Sequence, residues 1–264
     1  MTRPWACPAP LVALLVLVAA PVQAAPAFAD LADLTIAAPV IVTGSIAKAG
    51  TVSAKDSPGA PAGSVRMLLT VAVDAALVAP GPVPPRLSWL WDAPLDAKGK
   101  PPKPKAMRIL AFLAPPDAEG QSRLVGRLAQ QPWDAALEAQ VRSLAAAVRS
   151  GSVPVVTGVT NGFRADGNVK GESEAQFFLA TADAKPLTLI VQARPGEARR
   201  VLVARGEMID ESAAERVQKD TLLWYRLACF LPARLPAAAG GRDAALAADW
   251  RAAMASLGPC GRTP

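Results

Sequence analysis

The 264-residue chain contains no histidine. Without an imidazole it has no Ser-His-Asp or Cys-His nucleophile pair and no histidine-ligated zinc site. It also lacks the side chain whose unperturbed pKa lies near neutrality, which is the commonest general base. The sequence therefore excludes most familiar hydrolase mechanisms.

Aromatic residues and cysteine are also scarce. Phe, Trp and Tyr make up 5% of the chain and there are three cysteines, whereas hydrophobic residues amount to 52%. These proportions exclude a disordered chain, a collagen and a disulfide-dense miniprotein. They suit one or two globular domains with a sizeable core.

The first two dozen residues have the pattern of a secretory signal. Arg3 precedes an apolar run over residues 11–20, and Val22-Gln23-Ala24 places small residues at the two positions that set cleavage. The run is about half the roughly 20 residues that a membrane-spanning helix needs. We therefore expect residues 1–24 to be a signal peptide, the mature chain to lack a transmembrane segment, and the protein to be periplasmic or secreted.

The net charge is mild. The chain has 28 Lys and Arg against 22 Asp and Glu, which gives a formal charge of +6. The basic residues are spread evenly over the two halves, whereas dedicated nucleic-acid binders concentrate them on one face or helix. The charge pattern thus argues against nucleic acid as a partner.

Cys229 and Cys260 remain after the expected loss of Cys7 with the signal. An even pair in an exported protein predicts a disulfide. The alternative is a redox-active pair, but the close Cys-x-x-Cys spacing that lowers a thiol pKa is missing.

Five β-type segments, separated by turns rich in Pro and Gly, precede the middle of the chain. The predicted strands cover residues 34–46, 65–78, 86–91, 107–113 and 123–125. Five strands with almost no helix indicate a closed or half-closed barrel. Pro132-Trp133-Asp134 then predicts the start of a helix that ends at Gly151.

The second half predicts an antiparallel meander followed by two C-terminal helices. The four expected strands cover residues 153–160, 174–181, 186–193 and 199–209. Thr221 can cap a helix that ends before Pro232, and a last helix is expected at residues 243–257. We therefore expect an α+β, β-rich protein, with a barrel domain and trailing helix at 25–151 and an antiparallel α+β domain at 152–264.

Two motifs are similar to nucleophile motifs of enzymes. Ser45-Ile46-Ala47-Lys48 matches the Ser-x-x-Lys pattern of penicillin-recognising enzymes, yet it lies in strand-like sequence, where residues three apart face opposite ways. Gly171-Glu172-Ser173-Glu174-Ala175 is close to the nucleophile elbow of α/β-hydrolases, which needs a histidine partner. We interpret the first as a strand end and the second as a polar strand entry.

Acidic residues form two candidate carboxylate pairs of the kind that glycosidases use. Glu172 and Glu174 would face the same side of a strand, and Glu207, Asp210 and Glu211 form a second group. Solvated surface acids are the commoner explanation for such groups. No residue is assigned a catalytic role on this basis.

Lysines and prolines alternate between the third and fourth predicted strands. The candidate ligand-binding residues are Lys98, Lys100, Lys103, Lys105 and Arg108. Their cations can face an anionic surface such as lipid headgroups or polysaccharide phosphates. The alternative is a solvated connection that its prolines keep extended.

Two pairs of aromatic residues have both a binding and a packing explanation. Trp89 and Trp91 share one strand face, which is a possible stacking platform for bases or sugars. Leu87 lies in register with them, so core packing is favoured. Trp224 and Tyr225 are expected to pack against the sheet.

Three strand segments and one helix resemble a known family. The segments are Val42-Thr43-Gly44-Ser45-Ile46, residues 69–74 and residues 109–113, and the helix follows Pro132-Trp133-Asp134. Residues 32–149 resemble exported bacterial proteins whose N-terminal half is similar to the netrin/TIMP-type variant of the OB barrel. The resemblance implies an OB-like five-stranded barrel at 25–151. Metalloprotease inhibition in that family depends on a cysteine at the mature N-terminus, where this chain has Ala25, so that activity is not implied.

The expected function is that of an exported, non-enzymatic binding or interaction protein. β-barrels and meanders without histidine or an assembled nucleophile present surfaces more readily than they perform hydrolysis. Its expected partner is an anionic envelope component or another exported protein, and no cofactor or metal is expected. The alternative is an envelope hydrolase that uses a carboxylate pair.

Overall fold

The computed structural model describes residues 26–206 and 214–263. The expected signal peptide, Cys7, Ala25 and the acidic group formed by Glu207, Asp210 and Glu211 lie outside the described residues. Within them, ten strands form two antiparallel sheets and are accompanied by four α-helices. The protein is therefore α+β and β-rich, and its first sheet is curled into a half-barrel.

The first sheet has the strand order β3-β2-β1-β4-β5. Its strands are β1 (Val40–Thr51), β2 (Ser64–Val78), β3 (Arg86–Pro94), β4 (Arg108–Leu113) and β5 (Gln130–Pro132). Apolar residues alternate along β2 and β3, and Leu69, Val71, Leu87 and Trp89 pack in a core inside the curl. The strands predicted at residues 65–78, 86–91 and 107–113 are confirmed.

Two predictions for the first half differ from the structure. The strand predicted at residues 34–46 is confirmed from Val40 onward as part of β1. Its predicted start is wrong, since helix α1 (Phe28–Ala37) occupies residues 34–37 and packs against other helices. The fifth strand is β5, whereas the segment predicted at residues 123–125 makes a single β-bridge at Leu124. The fifth strand of the sheet thus lies further along the chain than the sequence predicts.

The helix predicted after Pro132-Trp133-Asp134 is confirmed as α2 (Ala135–Ser150). The Asp134 carboxylate caps it by accepting hydrogen bonds from two backbone N–H groups of the first turn, at 2.9 and 3.0 Å. Gly151 ends it with a φ of 60°, a conformation that favours glycine. Val141 and Leu144 face the core.

The second sheet is a meander in which consecutive strands are neighbours. Its strands are β6 (Val156–Asp166), β7 (Ser173–Thr181), β8 (Leu187–Ala193), β9 (Arg200–Arg205) and β10 (Glu215–Arg216). The four predicted strands are confirmed, and the unpredicted β10 adds a short fifth strand at one edge. The part of the fourth predicted strand beyond Gly206 lies outside the described residues.

Two helices complete the fold, and both were predicted. They are α3 (Leu222–Ala228) and α4 (Ala244–Leu257), which begin at the capping side chains of Thr221 and Asp243. Cys229 and Cys260 form the predicted disulfide, with their Cα atoms 4.8 Å apart. It joins the end of α3 to the residues that follow α4.

One hydrophobic core joins the two halves of the chain. It includes Leu31 of α1, Phe112 of β4 and Leu144 of α2, together with Phe177 and Trp250 from the second half. This core crosses residue 151, where the sequence suggests a domain boundary. Within the described residues, no helix combines the length and the apolar character that a membrane span requires.

Candidate functional site

The lysine loop, residues 95–107, connects β3 to β4. Its lysines at positions 98, 100, 103 and 105 are all exposed. None of them forms an ion pair with another described residue. Four ammonium groups are therefore available at the surface of a single loop.

Backbone hydrogen bonds hold the lysine loop at both ends. The N–H groups of Lys98 and Lys100 both donate to Asp96 Oδ1 at 2.8 Å. At the other end, Ala106 N–H donates to the Ile46 carbonyl at 2.8 Å. The loop thus has a fixed course although its charged side chains lie in solvent.

Arg108 differs from the four lysines because its guanidinium group already contacts other side chains. Its guanidinium carbon lies 3.6 Å from the centre of the Trp133 ring, and its Nε lies 3.5 Å from Asp74 Oδ2. The Trp133 indole N–H donates to Glu138 at 2.6 Å, and this bond is the main reason that the pKa of Glu138 is lowered. Arg108 therefore stabilises the start of α2.

The edge cleft is a cavity of about 680 Å³ beside β3. Leu90 and Trp91 of β3 line one side, and Arg123 and Leu128 line the other. Trp91 is half-buried here, whereas Trp89 is 1% exposed and lies in the core. Core packing is thus confirmed for Trp89, and Trp91 packs against the same core while it also lines the cleft.

The edge cleft has an excess of positive charge. Among the described residues, Asp92 is the one acidic side chain in its lining, beside two arginines, Arg123 and Arg127. Arg66 donates to both oxygens of Asp92 at 2.7 and 2.8 Å, and these bonds lower the pKa of Asp92. The sequence did not reveal this site, since residues 123–125 have the pattern of a strand and the arginines have no motif.

The acidic pocket is a cavity of about 270 Å³ at the turn between β6 and β7. It brings Glu172 and Glu174 together, as the sequence predicts, and adds Asp166. Glu174 accepts hydrogen bonds from the side-chain amides of Gln176 at 2.7 Å and Gln192 at 3.0 Å. Among the described residues, no group of three or more His, Cys, Asp or Glu is arranged to hold a metal ion.

The two nucleophile-like motifs both lie in strands. A bulge between Ile46 and Lys48 puts Ser45 opposite Ala72 and Lys48 opposite Thr70. Ser45 and Lys48 therefore share one face, which differs from the alternation that the sequence predicts. Within the described part of the chain no hydrogen bond joins the two side chains. Ser173 is the buried first residue of β7, which confirms a strand entry.

The C-terminal clasp consists of Asp30 and Asp33 on α1, Tyr225 on α3, and Arg262 and Thr263. Arg262 Nε donates to Asp33 Oδ2 at 2.7 Å, and Thr263 N–H donates to Asp30 Oδ1 at 3.0 Å. The Tyr225 hydroxyl also donates to Asp33. No motif in the sequence predicted this contact between the two ends of the described chain.

The pKa values of the C-terminal clasp follow from these contacts. Burial and then the Asp33 carboxylate raise the pKa of Tyr225 to about 12. Burial also acts to raise the pKa of Asp33, but the hydrogen bonds from Arg262 and Tyr225 outweigh it and lower that pKa. The clasp therefore holds a neutral phenol against an ionised carboxylate, which is a structural tie.

A buried carboxylate also ties α4 to the second sheet. Asp249 is 2% exposed and accepts hydrogen bonds from the Nε atoms of Arg164 and Arg199, both at 3.0 Å. Two guanidinium groups compensate for the burial of its charge. The role of Asp249 is thus structural: its ion pairs hold α4 against the second sheet.

Comparison with known proteins gives no family for the chain: no protein-family model matches it, and no curated protein matches it significantly. The geometry of the sites is therefore the basis for a functional assignment. The lysine loop and the edge cleft are basic, and the acidic pocket offers carboxylates. These are different chemistries, and each has its own test.

Proposed function

We propose that the protein is an exported, non-enzymatic binding module whose lysine loop binds a phosphate-bearing component of the cell envelope. The observation that carries the proposal is the set of four exposed ammonium groups without ion pairs to described residues. The loop contains one carboxylate, Asp96, which accepts from the backbone N–H groups of Lys98 and Lys100, so four ammonium groups against one carboxylate leave a net positive charge. Such a charge attracts anionic surfaces over several ångströms. The fixed ends of the loop reduce the entropy lost on binding.

The proposal includes export. Residues 1–24 would be removed, and the mature chain would begin at Ala25 in the periplasm or outside the cell. Fractionation with intact-mass analysis tests this, since the disulfide makes the chain lighter by two hydrogen atoms than its reduced form. A cytosolic chain that retains Met1 contradicts it.

The first half is proposed to be an OB-type barrel, which agrees with its resemblance to netrin/TIMP-type proteins. Support comes from the strand order β3-β2-β1-β4-β5 and from contacts between β3 and the chain near β5. Ser88 and Gln121 form a parallel bridge, and the Trp89 indole donates to Gln130 at 2.8 Å. OB barrels are five-stranded and partly open. Superposition of an experimental structure on solved OB barrels tests the assignment, which requires β3 and β5 to close the barrel.

The binding test compares two variants that lose the same charge. The loop variant replaces Lys98, Lys100, Lys103 and Lys105 with Gln. The control variant replaces four exposed cations outside the loop with Gln, namely Lys55, Arg149, Lys170 and Lys219. The measurement is retention on phosphatidylglycerol vesicles and on a phosphorylated polysaccharide, with wild type as reference.

We expect the loop variant to lose retention and the control variant to keep most of it. Wild-type retention should fall steeply as salt rises, because the Debye length is about 10 Å at 0.1 M. Thermal stability should change little in either variant, since exposed charges contribute little to folding. Equal losses in both variants, or no wild-type retention at low salt, reject the lysine loop as the site.

A second candidate function is an envelope hydrolase, which the acidic pocket favours because it contains Glu172 and Glu174 in one cavity. The test replaces each of them with Ala and uses Glu119→Ala, in an exposed turn, as the control. The assay is turnover of a panel of glycan and ester substrates. Turnover that either pocket variant loses and the control keeps supports a hydrolase. No turnover by wild type rejects it.

A further inference from the structure

We propose that the edge cleft is a separate binding site, which accepts an extended polypeptide with acidic side chains as an added strand beside β3. This site does not depend on the lysine loop. Three features carry the inference: the free backbone edge of β3, the apolar lining of the cleft and its charge.

Along β3, the backbone N–H and carbonyl groups of successive residues point alternately to β2 and to the open edge of the sheet. Val73 N–H donates to the Pro85 carbonyl at 3.0 Å, and Leu95 N–H donates to the Gly63 carbonyl at 2.9 Å. These bonds lie just beyond the two ends of β3. In an antiparallel pair every second residue makes such bonds, so the N–H and carbonyl groups of the odd-numbered residues of β3 point to β2. The N–H and carbonyl groups of the even-numbered residues therefore point to the open edge.

Ser88 shows that this edge can pair with an extended chain. Its N–H donates to the Gly120 carbonyl at 2.9 Å, and its carbonyl accepts from Ser122 N–H at 2.8 Å. Farther along β3, Leu90 and Asp92 have no backbone partner at the edge among the described residues. Two N–H and two carbonyl groups thus face the edge cleft. Such unpaired groups are a template for an added strand.

The size and lining of the edge cleft suit a short peptide segment. Its volume of about 680 Å³ lies within the range of roughly 300–1,000 Å³ found for ligand sites. Leu90 is 50% exposed and lies directly opposite Leu68, which is 48% exposed. Trp91 and Leu128 add apolar surface. Side chains of an added strand would cover part of this surface while its backbone pairs with β3.

The charge of the edge cleft selects an acidic occupant. Arg66 already pairs with Asp92, so this carboxylate is not available to a ligand. Arg123 is exposed and has no ion pair with a described residue, and it lies across the cleft from Leu90. A carboxylate on the added strand can pair with Arg123, whereas a lysine in the same place would be repelled.

The first test measures charge selection. The probe is an acetylated and amidated octapeptide of alternating valine and glutamate, titrated against the full chain by calorimetry. The matched peptide has lysine in place of glutamate. We expect the glutamate peptide to bind about tenfold more tightly or better. Equal affinities for the two peptides overturn the proposal.

Variants of the protein locate the selection. Arg123→Glu should reverse the preference between the two peptides. Arg86→Glu makes the same charge change at the exposed start of β3, outside the edge cleft, and should leave the preference unchanged. The loop variant, which lacks the four lysines, should retain its preference for the glutamate peptide. An Arg123→Glu protein that still prefers the glutamate peptide overturns the proposal.

The second test measures backbone pairing. Two versions of the glutamate peptide carry N-methyl groups on alternate amides, at odd or at even positions. An added strand directs one set of amides to β3, so one version should lose about tenfold in affinity while the other keeps it. Equal affinity of the two versions, or equal loss, overturns strand addition.

A variant of β3 provides the matching change in the protein. Leu90→Pro removes an N–H that points to the edge and leaves the bonds to β2 in place. Leu90→Ala removes the side chain and keeps the N–H. Peptide affinity should fall further in the proline variant than in the alanine variant, with thermal melts confirming that both fold. If the proline variant fails to fold, the methylated peptides still decide the question.

Discussion

Tyr225 is the one tyrosine of the chain, and its hydroxyl joins α3 to α1. Its pKa is raised from the ordinary value of 10 to about 12, by burial first and then by Asp33. The folded protein therefore keeps a proton that the unfolded chain releases. Stability from this group is complete below pH 10 and is lost as the pH rises to about 12.

We predict that tyrosinate absorbance will titrate near pH 12 in the folded protein and near pH 10 after unfolding in urea. A rise of this size corresponds to at most about 3 kcal/mol of unfolding free energy. Tyr225→Phe should remove this alkaline loss of stability, which urea titrations at several pH values measure. Tyrosinate formation near pH 10 in the folded protein would show that the phenol is not held in the clasp.

Trp89 and Trp91 are two positions apart, and the sequence predicts the same strand face and the same core packing for both. The indole of Trp89 donates to the buried side chain of Gln130 at 2.8 Å, whereas Trp91 lines the edge cleft. Trp89→Phe leaves the Gln130 oxygen without this donor, so we predict a loss of about 1–3 kcal/mol in unfolding free energy. Trp91→Phe should cost clearly less. Urea unfolding of both variants compares them, and equal losses contradict the assignment.

Helices and strands with a strong local pattern could be predicted from the sequence, and those held by distant contacts could not. Helix α2 has a capping Asp134 and a terminal Gly151, and β2 and β3 alternate clearly. Helix α1 ends beside a β-prone run, and Thr263 and Arg262 hold it from the far end of the chain.

Neither the fifth strand nor the edge cleft has a local pattern in the sequence that predicts it. β5 contains Gln130 and Gln131, which are buried although glutamine is usually exposed, because they bond to Trp89 and to the Leu128 carbonyl. No hydrophobic period marks them. The edge cleft likewise exists through the placement of Arg123 beside β3, which local sequence does not encode.

The disulfide fixes the end of α3 to the C-terminal clasp. Cys229 and Cys260 are 31 residues apart, and Arg262 follows two positions later. Replacing both cysteines with Ala should lower the unfolding free energy by about 3 kcal/mol, because the unfolded chain gains entropy. Chemical denaturation of the variant beside wild type measures this. A loss below about 1 kcal/mol would show that the clasp alone holds this end.

The shared core makes the whole molecule one cooperative unit in our prediction. Phe112 lies in the first half, and Phe177 lies in the second half at 4.9 Å from the Trp250 ring. Alanine at either position should lower the midpoint of the same single transition and cost about 3–5 kcal/mol. Calorimetry tests this. Two transitions that respond separately to the two variants would show independent domains.

The contact between Thr263 and Asp30 places the two ends of the described chain side by side. Such a protein can be circularly permuted: a short flexible linker joins the old ends, and new ends are opened in an exposed loop. Gly99, within the lysine loop, is a suitable position for the new ends because it and its neighbours are exposed. Its φ of 72° is left-handed, a conformation that a glycine adopts without strain, and it makes a tight turn on the surface. A permutant opened there should fold and keep the disulfide, while its lysines are divided between two free ends.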